Sequence, residues 1–310
     1  MKIVCVEPLG ISGERFRSLQ AHYKAMGHSL DYYMDRREDE DSLADRMREA
    51  DIAVISNIRL TRTVLSQCTR LRYISVAFTG LDHINLDYCA ERGIEVQNAA
   101  GYSTTAVSEL ALALMLDLLR GVTMTDGGIR HGGSRGTMLG GELRGRTVGI
   151  VGTGAIGTAT ARLALAFGAK VVAYSRTERD EVRSMGVEYM PLAQLLRQAD
   201  IVSLHVPLCE ATRGLIGKEE LLAMKPTALL VNTARGPVCD IEAVAAALRD
   251  GTLAGAAFDV FEHEPPLDAN HPLLSAPRCI CTPHIAFATE ESFEARAAIV
   301  FGHVDDYLLN

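Results

Sequence analysis

The chain has 310 residues, of which 48% are hydrophobic and 23% charged, an ordinary globular composition with room for one large or two medium domains. It has no run of about 18 apolar residues, as a membrane span requires, and its N-terminus, MKIVCVEPLG, has no secretory-signal pattern, so a cytoplasmic location is expected. A formal net charge of −8 argues against general nucleic-acid binding, but a local arginine cluster can still hold an anionic substrate.

In chain order, short β-branched runs alternate with helical patterns, the signature of parallel α/β sheets. Strands are expected at residues 2–6, 52–56, 73–76 and 94–97, with helical stretches such as 12–26 and 42–48 between them. Residues 104–119, TTAVSELALALMLDLL, are apolar nearly all round and should form a buried or interfacial helix. Residues 121–145 carry nine glycines without apolar periodicity, which reads as an exposed, adaptable arm or loop. A second strand series begins with TVGIVG at Thr147. It continues through KVVAY, DIVSLHV, ALLVNT, GAAFDV and CICTP. Residues 289–309 read as an amphipathic helix that folds back onto the first domain. The expected architecture is therefore α/β with two doubly wound parallel-sheet domains. Residues 1–100 plus 286–310 make a discontinuous substrate domain, and 101–285 a dinucleotide-binding domain. With this length after the second series, an extra C-terminal regulatory domain of ordinary size is not expected.

Seven cysteines (Cys5, Cys68, Cys89, Cys209, Cys239, Cys279 and Cys281) are scattered and odd in number, which fits reduced, mostly buried thiols. Cys279-x-Cys281 lacks the usual knuckle spacing and a second ligand pair, so no metal is expected.

Gly152-x-Gly154-x-x-Gly157 lies directly between an apolar strand and a helical run, the context that gives this motif its meaning. Gly152 permits a tight turn, Gly154 allows close approach of a pyrophosphate, and Gly157 allows helix and strand to pack. The next strand ends in Tyr174-Ser175-Arg176-Thr177. Ser175, eighteen residues after Gly157, stands where an NAD-selective site usually places an acid. A guanidinium and hydroxyls can bind a 2′-phosphate that a carboxylate would repel, so NADP is favoured. Glu178 keeps NAD open.

Three polar residues end or follow strands of the second series: Arg235, Glu264 and His284. Carboxyl ends of strands are where doubly wound sheets bind ligands. A histidine has suitable acidity for proton transfer near neutrality. A neighbouring glutamate would favour and orient its protonated form, and an arginine can grip a carboxylate and polarise a carbonyl. Singly, each has a structural reading as a cap, a surface ion pair or a core histidine; together they point to catalysis.

The segments VGIVGTGAIG, HVPL, MKPTALLVNTARGPV, GAAFDVFEHEPP and TPHIA closely resemble the D-isomer-specific 2-hydroxyacid dehydrogenase family, which includes phosphoglycerate dehydrogenases and glyoxylate/hydroxypyruvate reductases. The likeness is densest from Leu143 to Ala286. It implies a flavodoxin-like substrate domain and a Rossmann cofactor domain with the active-site cleft between them. It also implies catalytic Arg235, Glu264 and His284, and hydride exchange between NAD(P)H and a small 2-oxo acid. Implied cofactor contacts are Ala155, Ile156, Ser175, Thr233, Ala234 and Arg235, with Asp259 near the nicotinamide carboxamide and Pro207 in the cofactor groove. The family is typically homodimeric through the region matching residues 104–145. Phe78, Thr79 and Gly80 fall in the family's substrate-carboxylate loop, where successive N–H groups make an anion cradle; an ordinary strand-to-helix turn is the other reading. Thr105 is either a cofactor neighbour or part of a helix N-cap. Phe78 and Phe287 depart from many relatives and could narrow the pocket. Glyoxylate and hydroxypyruvate lead the expected substrates, with 3-phosphoglycerate-type acids beside them. The resemblance also takes in corepressors that use this scaffold for partner binding, so a dinucleotide-sensing interaction protein is the alternative.

Overall fold

A computed structural model of the chain describes residues 1–263 and 266–309. It divides into two compact units, Met1–Ser103 with Ala288–Asn310, and Thr104–Phe287.

The first unit runs β1 (Lys2–Cys5), α1 (Gly13–Ala25), β2 (Ser29–Tyr32), α2 (Glu40–Met47), β3 (Ile52–Ile55), α3 (Arg62–Gln67), β4 (Tyr73–Val76), α4 (Leu86–Arg92) and β5 (Glu95–Asn98). The strands form one parallel sheet in the order β2-β1-β3-β4-β5. The central strands IAVI and YISV are buried along their whole length. Continuous apolar runs of this kind are what a parallel sheet covered on both faces requires. Helix starts are set locally: Ser12, Asp39, Thr61 and Asn85 each accept a backbone N–H in the first turn of the following helix.

The second unit contains α5 (Thr104–Arg120), α6 (Val122–Arg130), β6 (Thr147–Val151), α7 (Ala155–Ala166), β7 (Lys170–Tyr174), α8 (Asp180–Ser184), β8 (Glu188–Tyr189), α9 (Leu192–Gln198), β9 (Ile201–Leu204), α10 (Lys218–Ala223), β10 (Leu229–Asn232), α11 (Ile241–Asp250), β11 (Gly255–Phe258) and β12 (Cys279–Cys281). Its seven strands are all parallel, in the order β12-β11-β10-β9-β6-β7-β8. Helix α5 buries Ala111, Leu112, Met115, Leu118 and Leu119, and several of these join Val148, Ile150 and Val231 in one apolar cluster. Each such fully buried aliphatic side chain is worth about 1.5–3 kcal/mol.

The last helix, α12 (Glu290–Leu309), belongs to the first unit. Ser75 on β4 donates to the Val300 carbonyl at 3.0 Å, and Tyr73 stacks on Tyr307 at 4.4 Å. Two parallel α/β units are as the sequence pattern implies.

The structure differs from the sequence reading in three places. The glycine-rich stretch after Arg120 is not all loop, because residues 122–130 close into α6. That helix has no buried residue, and Val122, Met124 and Ile129 are exposed on it. Strand β2 was not apparent because its sequence, SLDY, buries only Leu30. Strand β8 has two residues, too few to show a period. Among the described residues no helix is long and apolar enough to cross a membrane.

Candidate functional site

The second unit's strand order reverses between β6 and β9, and both strands deliver their carboxyl ends to the same edge. At that edge β6 runs into Gly152, whose φ of +99° is a left-handed conformation that glycine adopts without strain. A Cβ there would lie 2.6 Å from the His205 carbonyl oxygen, so the turn passes directly over the chain leaving β9. At Gly157 a Cβ would collide with the Gly152 carbonyl. At Gly154 it would meet nothing within 4 Å, so the backbone there faces open space. Helix α7 starts at the next residue, Ala155, with Ile156 following, and Gly154 supplies no side-chain cap. Its first N–H groups and the positive end of its dipole therefore remain for an anion.

Ser175, Pro207 and Thr233 follow β7, β9 and β10 at the carboxyl edge of this sheet. Ser175 is half-buried and Arg176 exposed, directly after β7. Glu178, two residues after Arg176, is ion-paired to Arg183. Pro207 is exposed, and its carbonyl accepts the Thr212 hydroxyl at 2.6 Å. The Thr233 hydroxyl oxygen is buried without a hydrogen-bond partner among the described residues, as expected of a group that meets a ligand. Thr105 is exposed in the first turn of α5, and its carbonyl accepts the Ser108 hydroxyl at 2.9 Å. A glycine cradle, an uncapped helix start and an orphan hydroxyl fit the pyrophosphate and ribose of a nicotinamide dinucleotide.

Three adjacent strands, β10, β11 and β12, then bring the reactive groups to the same edge. Asn232, fully buried at the end of β10, shapes the turn that carries Arg235. Its side-chain oxygen accepts the Ala234 N–H at 3.0 Å and its amide nitrogen donates to the Arg235 carbonyl at 2.9 Å. A Cβ at Gly236 would strike the backbone of Phe261, so this turn lies against the chain leaving β11. Arg235 is half-buried, and its guanidinium donates to the Ala234 carbonyl at 2.7 Å.

After β11 stands Asp259, 0% exposed. Its carboxylate accepts the Thr282 hydroxyl at 2.6 Å, the Ile285 N–H at 2.9 Å and the Ala286 N–H at 2.8 Å. Burial pushes its carboxyl pKa up, against the lowering effect of these donors and of His284. The turn so held carries His284, which is half-buried and has φ +54°, rare for a residue with a side chain. Its ring meets Phe287 edge-on at 5.4 Å. Strain of this kind persists where surrounding contacts over-determine the backbone, and Asp259 supplies three of them. Glu264 lies outside the described residues.

The substrate loop expected in the first unit follows β4. Its carbonyls are held from within that unit: Arg296 donates to Ala77 at 3.4 Å, the Ala99 N–H to Phe78 at 3.1 Å, and Asn98 to Thr79 at 2.5 Å. The N–H groups of Thr79 and Gly80 have no acceptor among the described residues. Phe78 meets His83 edge-on at 6.1 Å.

Two residues that shape these sites, Asn232 and His205, carried no sequence signal. Asn232 acts on Ala234 and Arg235 close by in the chain, whereas Asp259, expected only as a cofactor neighbour, also holds the His284 turn through partners that the fold brings close. His205, beside the glycine turn, hydrogen-bonds Ser203 at 2.9 Å, and burial pushes its imidazole pKa down to about 4. It is therefore neutral at pH 7. The described residues contain no cluster of three or more metal-ligating side chains.

The profile of the D-isomer specific 2-hydroxyacid dehydrogenase NAD binding domain matches residues 112–286. A glyoxylate reductase from Aeropyrum pernix is 41% identical over 262 residues, covering 81% of this chain and 78% of that protein. The structure of a D-lactate dehydrogenase from Aquifex aeolicus complexed with NAD and lactic acid superposes with a TM-score of 0.86 at 30% identity, over 99% of this chain and 95% of that one. An acyclic imino acid reductase in complex with NADPH and D-Arg superposes with a TM-score of 0.89 at 25% identity, over 100% and 97% of the two chains.

Proposed function

This chain belongs to the D-isomer-specific 2-hydroxyacid dehydrogenase family, as an NAD(P)-dependent oxidoreductase interconverting 2-oxo and 2-hydroxy acids, and from that premise we propose that it reduces glyoxylate or hydroxypyruvate with NADPH. A 3-phosphoglycerate-type acid is the next substrate class. The observation that carries the proposal is the set of strand ends on one sheet edge: Arg235 after β10, Asp259 after β11 and His284 after β12.

The dinucleotide, when bound, supplies the hydride that reaches the carbonyl carbon. The chain's own residues do the rest. The N–H groups of residues 154–157 and the Thr233 hydroxyl bind the cofactor, with Ala155, Ile156, Pro207, Ala234 and Thr105 along its path. Ser175 and Arg176 receive a 2′-phosphate. Arg235 holds the substrate carboxylate and polarises its carbonyl, and the N–H groups of Thr79 and Gly80 add to that hold. His284 delivers a proton to the carbonyl oxygen. Asp259 fixes the turn that aims its imidazole, and Glu264 is assigned the stabilisation of the protonated ring. Residues 1–100 with 286–310 serve as the substrate domain and 101–285 as the cofactor domain. The exposed apolar side chains of α6, with Leu139 beyond it, support a homodimer built through residues 104–145.

NADP is favoured over NAD because Ser175 and Arg176 stand directly after β7, where an NAD-selective site places an acid, and Glu178 is paired with Arg183. Initial rates with a panel of short 2-oxo acids and both nicotinamides, followed at the reduced-cofactor absorbance, test the proposal. Turnover of glyoxylate or hydroxypyruvate with a lower KM for NADPH is expected. A clear preference for NADH would overturn the cofactor assignment. Tight dinucleotide binding without turnover of any 2-oxo acid would favour the corepressor-like alternative.

A further inference from the structure

The strand that delivers His284 is built around two thiols. β12 has only three residues, at the edge of its sheet, with Cys279 beside Ala256 and Cys281 beside Phe258. Positions two apart on a strand share a face. The two sulfur atoms lie 3.9 Å apart, and both residues are half-buried. Cys279 also lines a cavity of about 220 Å³ with Leu118, Met124 and Arg278, which brings a small reagent as far as Cys279, 3.9 Å from the Cys281 sulfur. The flanks of the strand are strained. Arg278, just before it, has φ +51°, and His284, three residues after it, has φ +54°; among the described residues these are the non-glycine residues with positive φ. Thr282, next to Cys281, donates its hydroxyl to Asp259 and its N–H to the Phe258 carbonyl, so the turn carrying His284 is anchored one residue from the dithiol.

We propose that Cys279 and Cys281 form a modification site for hydroperoxides, which oxidise the pair to an intramolecular disulfide and thereby displace the His284 turn. The Cys281 thiolate attacks the peroxide, an S–O bond forms, the O–O bond breaks and an alcohol or water leaves. The Cys279 thiol then attacks the sulfenic sulfur, the S–S bond forms and water departs. In sum, two thiols and one hydroperoxide give one disulfide, one water and one alcohol; sulfur is oxidised and the peroxide reduced. Cys281 is the first nucleophile because the Cys279 thiol donates to its sulfur and holds its pKa below the usual thiol value.

Geometry links this chemistry to the turn. Along a strand, positions two apart are separated by about 6.6 Å, whereas disulfide-linked Cβ atoms sit about 3.8 Å apart. The bond therefore closes only if β12 buckles, and the next residues in the chain are Thr282, Pro283 and His284. A strained disulfide of this kind is readily reduced, so the modification is reversible by a dithiol. The link to activity rests on the assignment of His284 as proton donor; the disulfide itself does not.

The test treats the protein in a Cys209→Ser background, which removes the exposed thiol, with tert-butyl hydroperoxide. Three readouts are taken: the mass of the peptide holding residues 279–281, hydrogen exchange at the Ile285 and Ala286 amides, and reduction of glyoxylate. A loss of two hydrogens from that peptide is expected, with faster exchange at both amides and a drop in turnover of about 10²-fold, as a displacement near 1 Å produces. Dithiothreitol should restore all three, and Cys279→Ser or Cys281→Ser should resist the treatment. A peptide that stays dithiol overturns the site, and a disulfide that leaves both amides unchanged overturns the displacement. If untreated protein reduces no 2-oxo acid, the functional assignment fails, and the mass and exchange readouts still decide the inference.

Discussion

The two sheets treat the same topological feature in opposite ways. In each, strand order reverses beside the first strand, between β1 and β3 in one unit and between β6 and β9 in the other. Such points are where open α/β sheets bind ligands. At β6/β9 the chain presents a helix start without a side-chain cap, an open face at Gly154 and the orphan Thr233 hydroxyl. At β1/β3 the protein supplies its own anion. Glu7, 1% exposed, accepts the N–H groups of Ser56 at 2.6 Å and Ile58 at 3.1 Å, and Arg36 pairs with its other oxygen at 2.5 Å. Beside it Arg296, itself buried, bonds the Leu9 and Ala77 carbonyls and the Ser56 hydroxyl. Burial nonetheless pushes the Glu7 carboxyl pKa up, against the pull of Arg36 and the two N–H groups. One fold principle thus yields a binding edge in one unit and an internally neutralised scaffold in the other, where the scaffold helps hold the loop after β4.

The sharpest way to break this contrast is at the binding edge. His284→Ala should lower turnover by about 10²–10⁴, the range for a lost general acid, while dinucleotide affinity stays within about twofold, under 0.5 kcal/mol. Steady-state rates beside a fluorescence titration check both, and wild-type turnover would remove the role. Next in size, Glu7→Ala leaves two buried N–H groups and two arginines without their carboxylate. It should cost about 3 kcal/mol of stability in urea unfolding, with dinucleotide affinity unchanged. A fall in affinity together with unchanged stability would make Glu7 part of a binding site and erase the contrast.

A pH effect of similar size is expected from His205. Its pKa is about 4 in the fold and about 6.5 unfolded. Between these values the unfolded chain binds more protons, so the contribution is complete above pH 6.5 and is lost as pH falls towards 4. The loss amounts to up to about 3 kcal/mol. His205→Asn should flatten the stability slope across that window, and an unchanged slope would assign the titration elsewhere. The smallest effect belongs to Arg176→Ala, which should weaken NADPH by about tenfold, close to one charge-assisted hydrogen bond, and leave NADH unchanged. Equal losses for both would move the arginine away from the 2′-phosphate.

What the sequence makes legible follows the range of the interactions. The strand–glycine–helix turn at Gly152 is local, so its glycines are readable in order along the chain. Continuous apolar runs likewise disclose buried strands such as Ile52–Ile55. Glu7 is different. In sequence it is a single acid after a strand, and its partners lie at residues 36, 56 and 58. Asp259 is similar: the donors that lock its carboxylate to the His284 turn are 23 to 27 residues away. Helix α6 was hidden for another reason, since glycines lower helix propensity and no buried face imposes a period on its sequence.

Hydrogen exchange of the whole protein with and without NADPH tests the central contrast most directly. Protection should appear in the amides of residues 154–157, where α7 begins, and be absent from Ser56 and Ile58, whose N–H groups Glu7 already holds. Protection at Ser56 and Ile58, or none at residues 154–157, would contradict it.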